Sequence, residues 1–225
     1  DLLAAIPSVV FGLWGMHTLE PVIRPIFAWI SDVLTPVMEW WVTSVPGMGY
    51  MADHFEWWPL TPDLVHFVPP ARNILMGGLV LAIMILPIIT SLCREVFLQT
   101  PKLQEEAALG LGATRWEMIR MTVLPIGRSG IVSAAMLGLG RALGETMALL
   151  MVLSAGLSVN FSLMSPGQHS TIASQIALNW PEAQAGLERQ FLIGLGLLLF
   201  ILTFVVNFAA RRVMARYSEF SGANA

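Results

Sequence analysis

Residues 191–210, FLIGLGLLLFILTFVVNFAA, run for twenty positions without one charge. A helix rises about 1.5 Å per residue, so such a run reaches across the roughly 30 Å hydrocarbon core of a bilayer. No water is available there to satisfy backbone N–H and C=O groups, and a helix is the structure that satisfies them within one segment. This run therefore commits the chain to membrane-spanning helices. Composition agrees: of 225 residues 56% are hydrophobic and 12% charged, against about 25% charged in soluble domains.

Three further regions are expected to span. LLAAIPSVVFGLWGM (2–16) is short unless it continues past His17 toward Ile26, and NILMGGLVLAIMILPIITSLC (73–93) is long enough outright. From Ser129 to Ser158 the only charges are Arg141 and Glu145, so this stretch spans with a tilt or a break. Pro7 and Pro87 are expected to kink their helices. The fold class expected is all-α, a polytopic helical bundle with about four spans, forming one transmembrane domain over 1–225.

Orientation follows from the basic residues. Arg94, Lys102, Arg115, Arg120 and Arg128 surround the loop before the third span, and Arg211, Arg212 and Arg216 follow the last. Between Arg24 and Arg72 there is no Lys or Arg, while Asp32, Glu39, Asp53, Glu56 and Asp63 accumulate. Positive charge is retained on the cytoplasmic side, which places loop 99–125 and the C-terminus inside and 29–70 and 155–188 outside. Trp29, Trp40, Trp41, Trp57 and Trp58 make 29–70 an interfacial or re-entrant segment, since Trp favours the bilayer boundary. A short helix is expected over Thr171–Leu178, and Glu20 with Arg24 forms an i,i+4 pair.

Several function classes are excluded or demoted. A net charge of −3 with one lysine argues against nucleic-acid binding. Cys93 is the only cysteine, and His17, His54, His66 and His169 lack metal-ligand spacing, so no metal site is expected. The chain contains no Gly-x-x-x-x-Gly-Lys-[Ser/Thr], so it cradles no ATP phosphates in a P-loop, and energy for any transport enters from a partner. Gly127-Arg128-Ser129-Gly130 has the G-x-S-G form of an intramembrane serine protease, the distant alternative. Such an enzyme needs a histidine base beside the serine, and the nearest, His169, falls in an outer segment by this topology.

The loop QTPKLQEEAALGLGATRWEMIRMTVLP (99–125) reads as two short helices meeting at a glycine bend. Thr100 and Pro101 supply an N-cap and first position, and Thr114 with Glu117 has capping-box spacing. By pattern alone, Leu103, Ala107 and Leu111 describe an amphipathic helix lying on lipid headgroups.

Its residues also resemble the EAA loop of ABC-transporter permeases. Glu106, Ala107, Ala108, Gly112, Leu124 and Pro125 stand at that pattern's spacings, with Thr122 where the family usually has Ile. The resemblance implies a coupling helix that docks on a separate ATPase subunit, with Glu106 and Gly112 setting contact and bend.

Inside the third span, Arg141 and Glu145 fall one helical turn apart. A charge near the bilayer centre costs about 2.5–3.5 kcal/mol on insertion scales, so such residues face a partner or a watery cavity. Two readings stay open: the pair neutralises itself, or Arg141 lines an anion path with Glu145 positioning it. Gly140 and Gly144 form a G-x-x-x-G, and Gly130, Ala134 and Gly138 add small residues, so this helix is expected to pack closely.

LGLGRALGETMA (137–148) is similar to a segment of phosphate ABC permeases, with Thr146-Met147-Ala148 following as in their C-type subunit. AAIPSVVFGLWG (4–15) and LAIMILPIITSLCREVFLQTP (81–101) look like the same MetI-like, binding-protein-dependent permease family. That family has six spans, so two N-terminal helices are expected to be missing from this chain. The resemblance implies a non-catalytic permease of an importer in the cytoplasmic (inner) membrane. It also implies a second homologous permease subunit, a dimer of ATP-binding subunits that use ATP and Mg, an extracytoplasmic phosphate-binding protein and surrounding lipid. No cofactor is expected on this chain itself. Sulfate or molybdate is the alternative substrate.

Overall fold

A computed structural model describes residues 7–54, 62–154, 162–165 and 169–218, with the side chains of 52, 53 and 213–218 left aside. Readings that fall on 1–6, 55–61, 155–161 and 166–168, including Glu56, Trp57 and Trp58, lie outside the described residues. Among those described, helices account for every regular element and no strand is present.

The chain begins with α1 (Ser8–Trp14), a π turn (Gly15–Leu19) and α2 (Glu20–Ser44), followed by α3 (Met48–His54) and a 3-10 turn (Pro62–Leu64). Next come α4 (Ile74–Leu98), α5 (Lys102–Gly110), α6 (Arg115–Met118), a second π turn (Ile119–Val123) and α7 (Leu124–Leu143). The last elements are α8 (Met147–Val152), α9 (Ile172–Asn179) and α10 (Leu187–Ser218).

The two π turns share one cause. Each ends two residues before a proline, Pro21 or Pro125. A proline ring collides with the carbonyl four residues back, here that of His17 or Met121, and offers no N–H to it. In both places the residue just before the proline donates five residues back, Glu20 N–H to the Gly15 carbonyl and Leu124 N–H to that of Ile119. The widened turn makes room for the ring and keeps the helix unbroken. Pro7, by contrast, stands at the N-cap with extended backbone and starts α1 rather than kinking it. Pro87 lies inside α4, which runs on without interruption.

Among the described residues three helical stretches are long and apolar enough to cross a membrane: Ile74–Leu98, Arg115–Leu143 and Leu187–Arg212. The first expected span differs, because only a dozen residues from Ser8 precede buried Glu20 and the helix then continues through charged positions to Ser44. The third span also shifts. It begins at Arg115 through the π turn and ends at Leu143, so Leu124-Pro125 lies inside a continuous helix and is no boundary.

The chain divides into two compact units, and the divisions fall within α4, within α10, and between Gly144 and Glu145. In the unit containing 84–144 and 197–218, α4 and α7 meet along a seam of small residues. A Cβ on Gly130 would lie 2.4 Å from Val96, one on Gly127 2.8 Å from Phe97, and one on Gly138 2.7 Å from Ile85 and Ile89. Close approach of helix backbones needs such positions, because in lipid the association rests on van der Waals contact.

The unit containing 7–83 and 145–196 is held differently. Its apolar core includes Met76, Val80 and Val152, and Gly12 brings α1 against Ala148 of α8. Buried polar groups tie its loops down. Asn73, fully buried, accepts from the Met76 N–H at 3.0 Å and donates to the Met164 carbonyl at 2.9 Å. Ser31 accepts from the Phe67 N–H. Glu20 binds Arg24 through three contacts of 2.8–3.0 Å and also accepts from the Ala71 N–H at 3.0 Å. The Glu20–Arg24 pair is thus more than a local contact, since it anchors the chain just before α4. α9 starts on a Thr171–Ser174 capping box, close to the expected short helix.

Candidate functional site

The loop 99–125 owes its shape to two helix ends. Pro101 is the N-cap of α5, so α5 starts one residue later than expected, and Thr100 is buried without a hydrogen-bond partner for its hydroxyl instead of capping. At the far end of α5 the Gly112 N–H bonds the Leu109 carbonyl and the Ala113 N–H bonds that of Ala108. This double closure is the Schellman arrangement, which puts its glycine in the left-handed region. Gly112 has φ +88°, a conformation that a Cβ disfavours. Two residues on, Thr114 and Glu117 complete a reciprocal capping box, with the Thr114 N–H 2.8 Å from a Glu117 carboxylate oxygen.

The turn leaves apolar surface uncovered. Leu103, Leu111, Trp116 and Met121 are 79%, 90%, 68% and 73% exposed, and Glu106 and Ala107 are exposed beside them. Ala108 is half-buried, as are Leu124 and Pro125 further along. Apolar side chains of this size exposed together suit contact with lipid or with another protein chain.

The second candidate lies on α7. Gly144 caps its C-terminus, and Glu145 and Thr146 are non-helical before α8. The expectation that Arg141 and Glu145 share one helical face is therefore corrected: the helix stops between them, and each belongs to a different compact unit. Glu145 is buried, and its carboxylate accepts from the Ala148 N–H at 3.3 Å, at the start of α8. A carboxylate there meets unsatisfied amide donors and the positive end of the helix dipole.

Arg141 is exposed on the wall of a groove of about 610 Å³ within its own unit. Ser133, Gly140, Asn207 and Arg211 line the same groove, with Ile88, Met136, Leu137 and Ala210 as apolar walls. Among the described residues its polar lining holds two guanidinium groups, a hydroxyl and a carboxamide, and no carboxylate. Such a lining suits an oxyanion, because each guanidinium donates in a planar fork that matches oxygen pairs.

The glycines expected to pack do not behave alike. Gly138 meets Ile85 and Ile89, whereas a Cβ on Gly140 meets nothing within 4 Å, and one on Gly144 meets only carbonyls of its own helix at 3.9 Å. Within this chain the G-x-x-x-G at 140–144 is thus no seam; Gly140 opens the groove beside Arg141 and Gly144 ends the helix. The G-x-S-G stretch belongs to packing as well, since Gly127 and Gly130 take Phe97 and Val96. Among the described residues no group of His, Cys, Asp and Glu can hold a metal. In the sequence Asn207 is one residue of an uncharged run and Arg211 one of the charges that set orientation; their i,i+4 spacing is the available signal that they share a face.

Comparison with known proteins agrees with this architecture. The chain is 46% identical over 95% of its length to the phosphate transport system permease protein PstC 2 of Mycobacterium bovis. It is 40% identical over 99% of its length to PstC of Xylella fastidiosa and 37% identical over 99% to PstC of Haemophilus influenzae. The chain spans about three fifths of these relatives, 59%, 61% and 63% respectively. No solved structure gives a significant match. The family described as the binding-protein-dependent transport system inner membrane component matches residues 1–219, and this multi-pass, all-helical chain belongs to that family.

Proposed function

We propose that the chain is a membrane-spanning permease subunit of an ATP-driven importer for inorganic phosphate. The observation that carries the substrate is the 46% identity over 95% of the chain to a phosphate transport permease. The groove at Arg141, whose described charged lining residues are both arginines, supports the same choice. A second homologous permease subunit completes the path. ATP and Mg are used by a dimer of ATP-binding subunits, and this chain catalyses no reaction.

The orientation is set by charge, with 99–125 and the C-terminus cytoplasmic. α5 and α6, joined at Gly112, dock on the ATPase through Leu103, Leu111 and Trp116. Because α6 runs through the π turn into α7 without a break, a displacement of the docked turn is carried along one rigid rod to Arg141. The external phosphate-binding protein docks on 29–70 and 155–188. Arg141 draws the anion inward, and Glu145 holds the start of α8.

The test is phosphate uptake by the full assembly carrying Arg141→Gln, measured beside assembly and basal ATP hydrolysis. Loss of uptake in an intact complex is expected. Preserved uptake removes Arg141 from the path. ATPase stimulation by binding proteins loaded with phosphate, sulfate or molybdate decides the substrate, and phosphate is expected to be effective.

A further inference from the structure

Two adjacent arginines end the apolar run of α10, and they face different surroundings. Arg212 lies over the ring of Phe208, 5.9 Å from its centre, and does not line the groove of Arg141. Arg211 does line it, together with Asn207 one turn earlier. Neither Arg141 nor Arg211 has a hydrogen-bond or ion-pair partner among the described residues of that unit; the one ion pair among the described residues is Glu20–Arg24. Two guanidinium groups are thus held in one groove with apolar walls, and none of its described lining residues is a carboxylate. Like charges sharing a groove repel, so the arrangement is stabilised when an anion enters.

We propose that Arg211 and Asn207 form a second anion station, receiving phosphate from Arg141 and releasing it toward the basic end of α10. The proposal rests on the phosphate-path reading of Arg141. A single tight site would hold its ion, whereas conduction needs several weak sites in succession. Arg211 supplies charge and a fork of donors, and Asn207 supplies an uncharged amide donor that adds contact without tightening the hold. Arg212 is a built-in control: the same side chain, one residue along, placed against an aromatic ring instead of the groove. If the two arginines were only positive charges anchoring a helix at the membrane boundary, they would be interchangeable.

The experiment is uptake of radiolabelled phosphate into proteoliposomes holding the full transporter. It compares Arg211→Gln, Arg211→Lys, Asn207→Asp, Arg212→Gln and Arg141→Gln, normalised to assembled complex and to ATP hydrolysed. Arg211→Gln is expected to lower phosphate moved per ATP about tenfold, the scale of one lost charge-assisted hydrogen bond. Arg211→Lys is expected to recover part of that loss, and Arg212→Gln to stay near the unmodified value. Should Arg211→Gln fail to assemble, Asn207→Asp carries the test. It leaves the helix charge pattern at 211 and 212 alone, puts a carboxylate in the groove, and is expected to cut uptake per ATP as severely. Equal losses for Arg211→Gln and Arg212→Gln would overturn the station. So would unchanged uptake in Arg211→Gln or Asn207→Asp while Arg141→Gln is inactive, which leaves the Arg141 path standing. Unchanged uptake in Arg141→Gln overturns the path and the station together.

Discussion

The two compact units achieve order by opposite means. In one, α4 and α7 meet through glycines at 127, 130 and 138, where close fit of side chains sets the contact. In the other, loops are pinned by buried polar groups, Glu20, Ser31 and Asn73, each with backbone N–H partners. Helices in lipid gain nothing from hydrophobic exclusion against one another, so contact area decides. Segments without regular structure carry orphan backbone groups, and a buried side chain that satisfies them is worth more than another methyl group. The first kind of region is therefore intolerant of added atoms and the second of removed ones.

That contrast can be broken by substitution, and the largest effect belongs to the seam. Gly130→Val places a branched side chain where a single Cβ already falls 2.4 Å from Val96. A loss of about 3 kcal/mol is expected, at the upper end of overpacking costs. Thermal unfolding of the detergent-solubilised protein reads it, and adding Val96→Ala to Gly130→Ala should recover most of the stability that Gly130→Ala alone loses. The polar counterpart comes next. Asn73→Ala removes the acceptor for the Met76 N–H and the donor to Met164, a loss of about 2 kcal/mol. Asn73→Asp should lose stability in the same assay although the cap acceptor survives, because a buried carboxylate cannot donate to the Met164 carbonyl.

Two glycines outside both systems sharpen the comparison. Gly112→Ala is expected to cost about 1 kcal/mol through its left-handed backbone, without any clash. Its clearer readout is weaker ATPase co-purification at unchanged membrane insertion. Gly140→Ala should be the mildest, within about 0.5 kcal/mol and on the stabilising side, since the Cβ enters open space in a helix. A large loss of stability there would show that the groove wall is not open as described.

Much of the fold was legible because lipid imposes a length and a polarity on any segment that crosses it. The uncharged run at 191–210 and the apolar run at 73–93 became α10 and α4 with little adjustment. The Thr114–Glu117 and Thr171–Ser174 caps rest on neighbours three residues apart, and of these only Thr114–Glu117 has the Thr-x-x-Glu form that signals a capping box. Errors arose where one residue had two possible roles. Pro125 ends the stretch that reads as a loop, 99–125, yet a π turn carries the helix through it. Gly144 looked like part of a packing seam, yet it ends α7 and parts Arg141 from Glu145.

The sequence by itself determined that the chain is helical, crosses a membrane more than once and carries an apolar loop with a glycine bend. Each of these depends on local periodicity, propensity or charge, quantities that neighbours in sequence settle. Only the tertiary structure decided which glycines touch, that Glu20 reaches Ala71, and that Arg211 shares a groove with Arg141 while Arg212 does not. Those outcomes depend on helix rotation and depth. A rotation of one residue, 100° around a helix of 3.6 residues per turn, exchanges a groove wall for an outer face without altering any local signal.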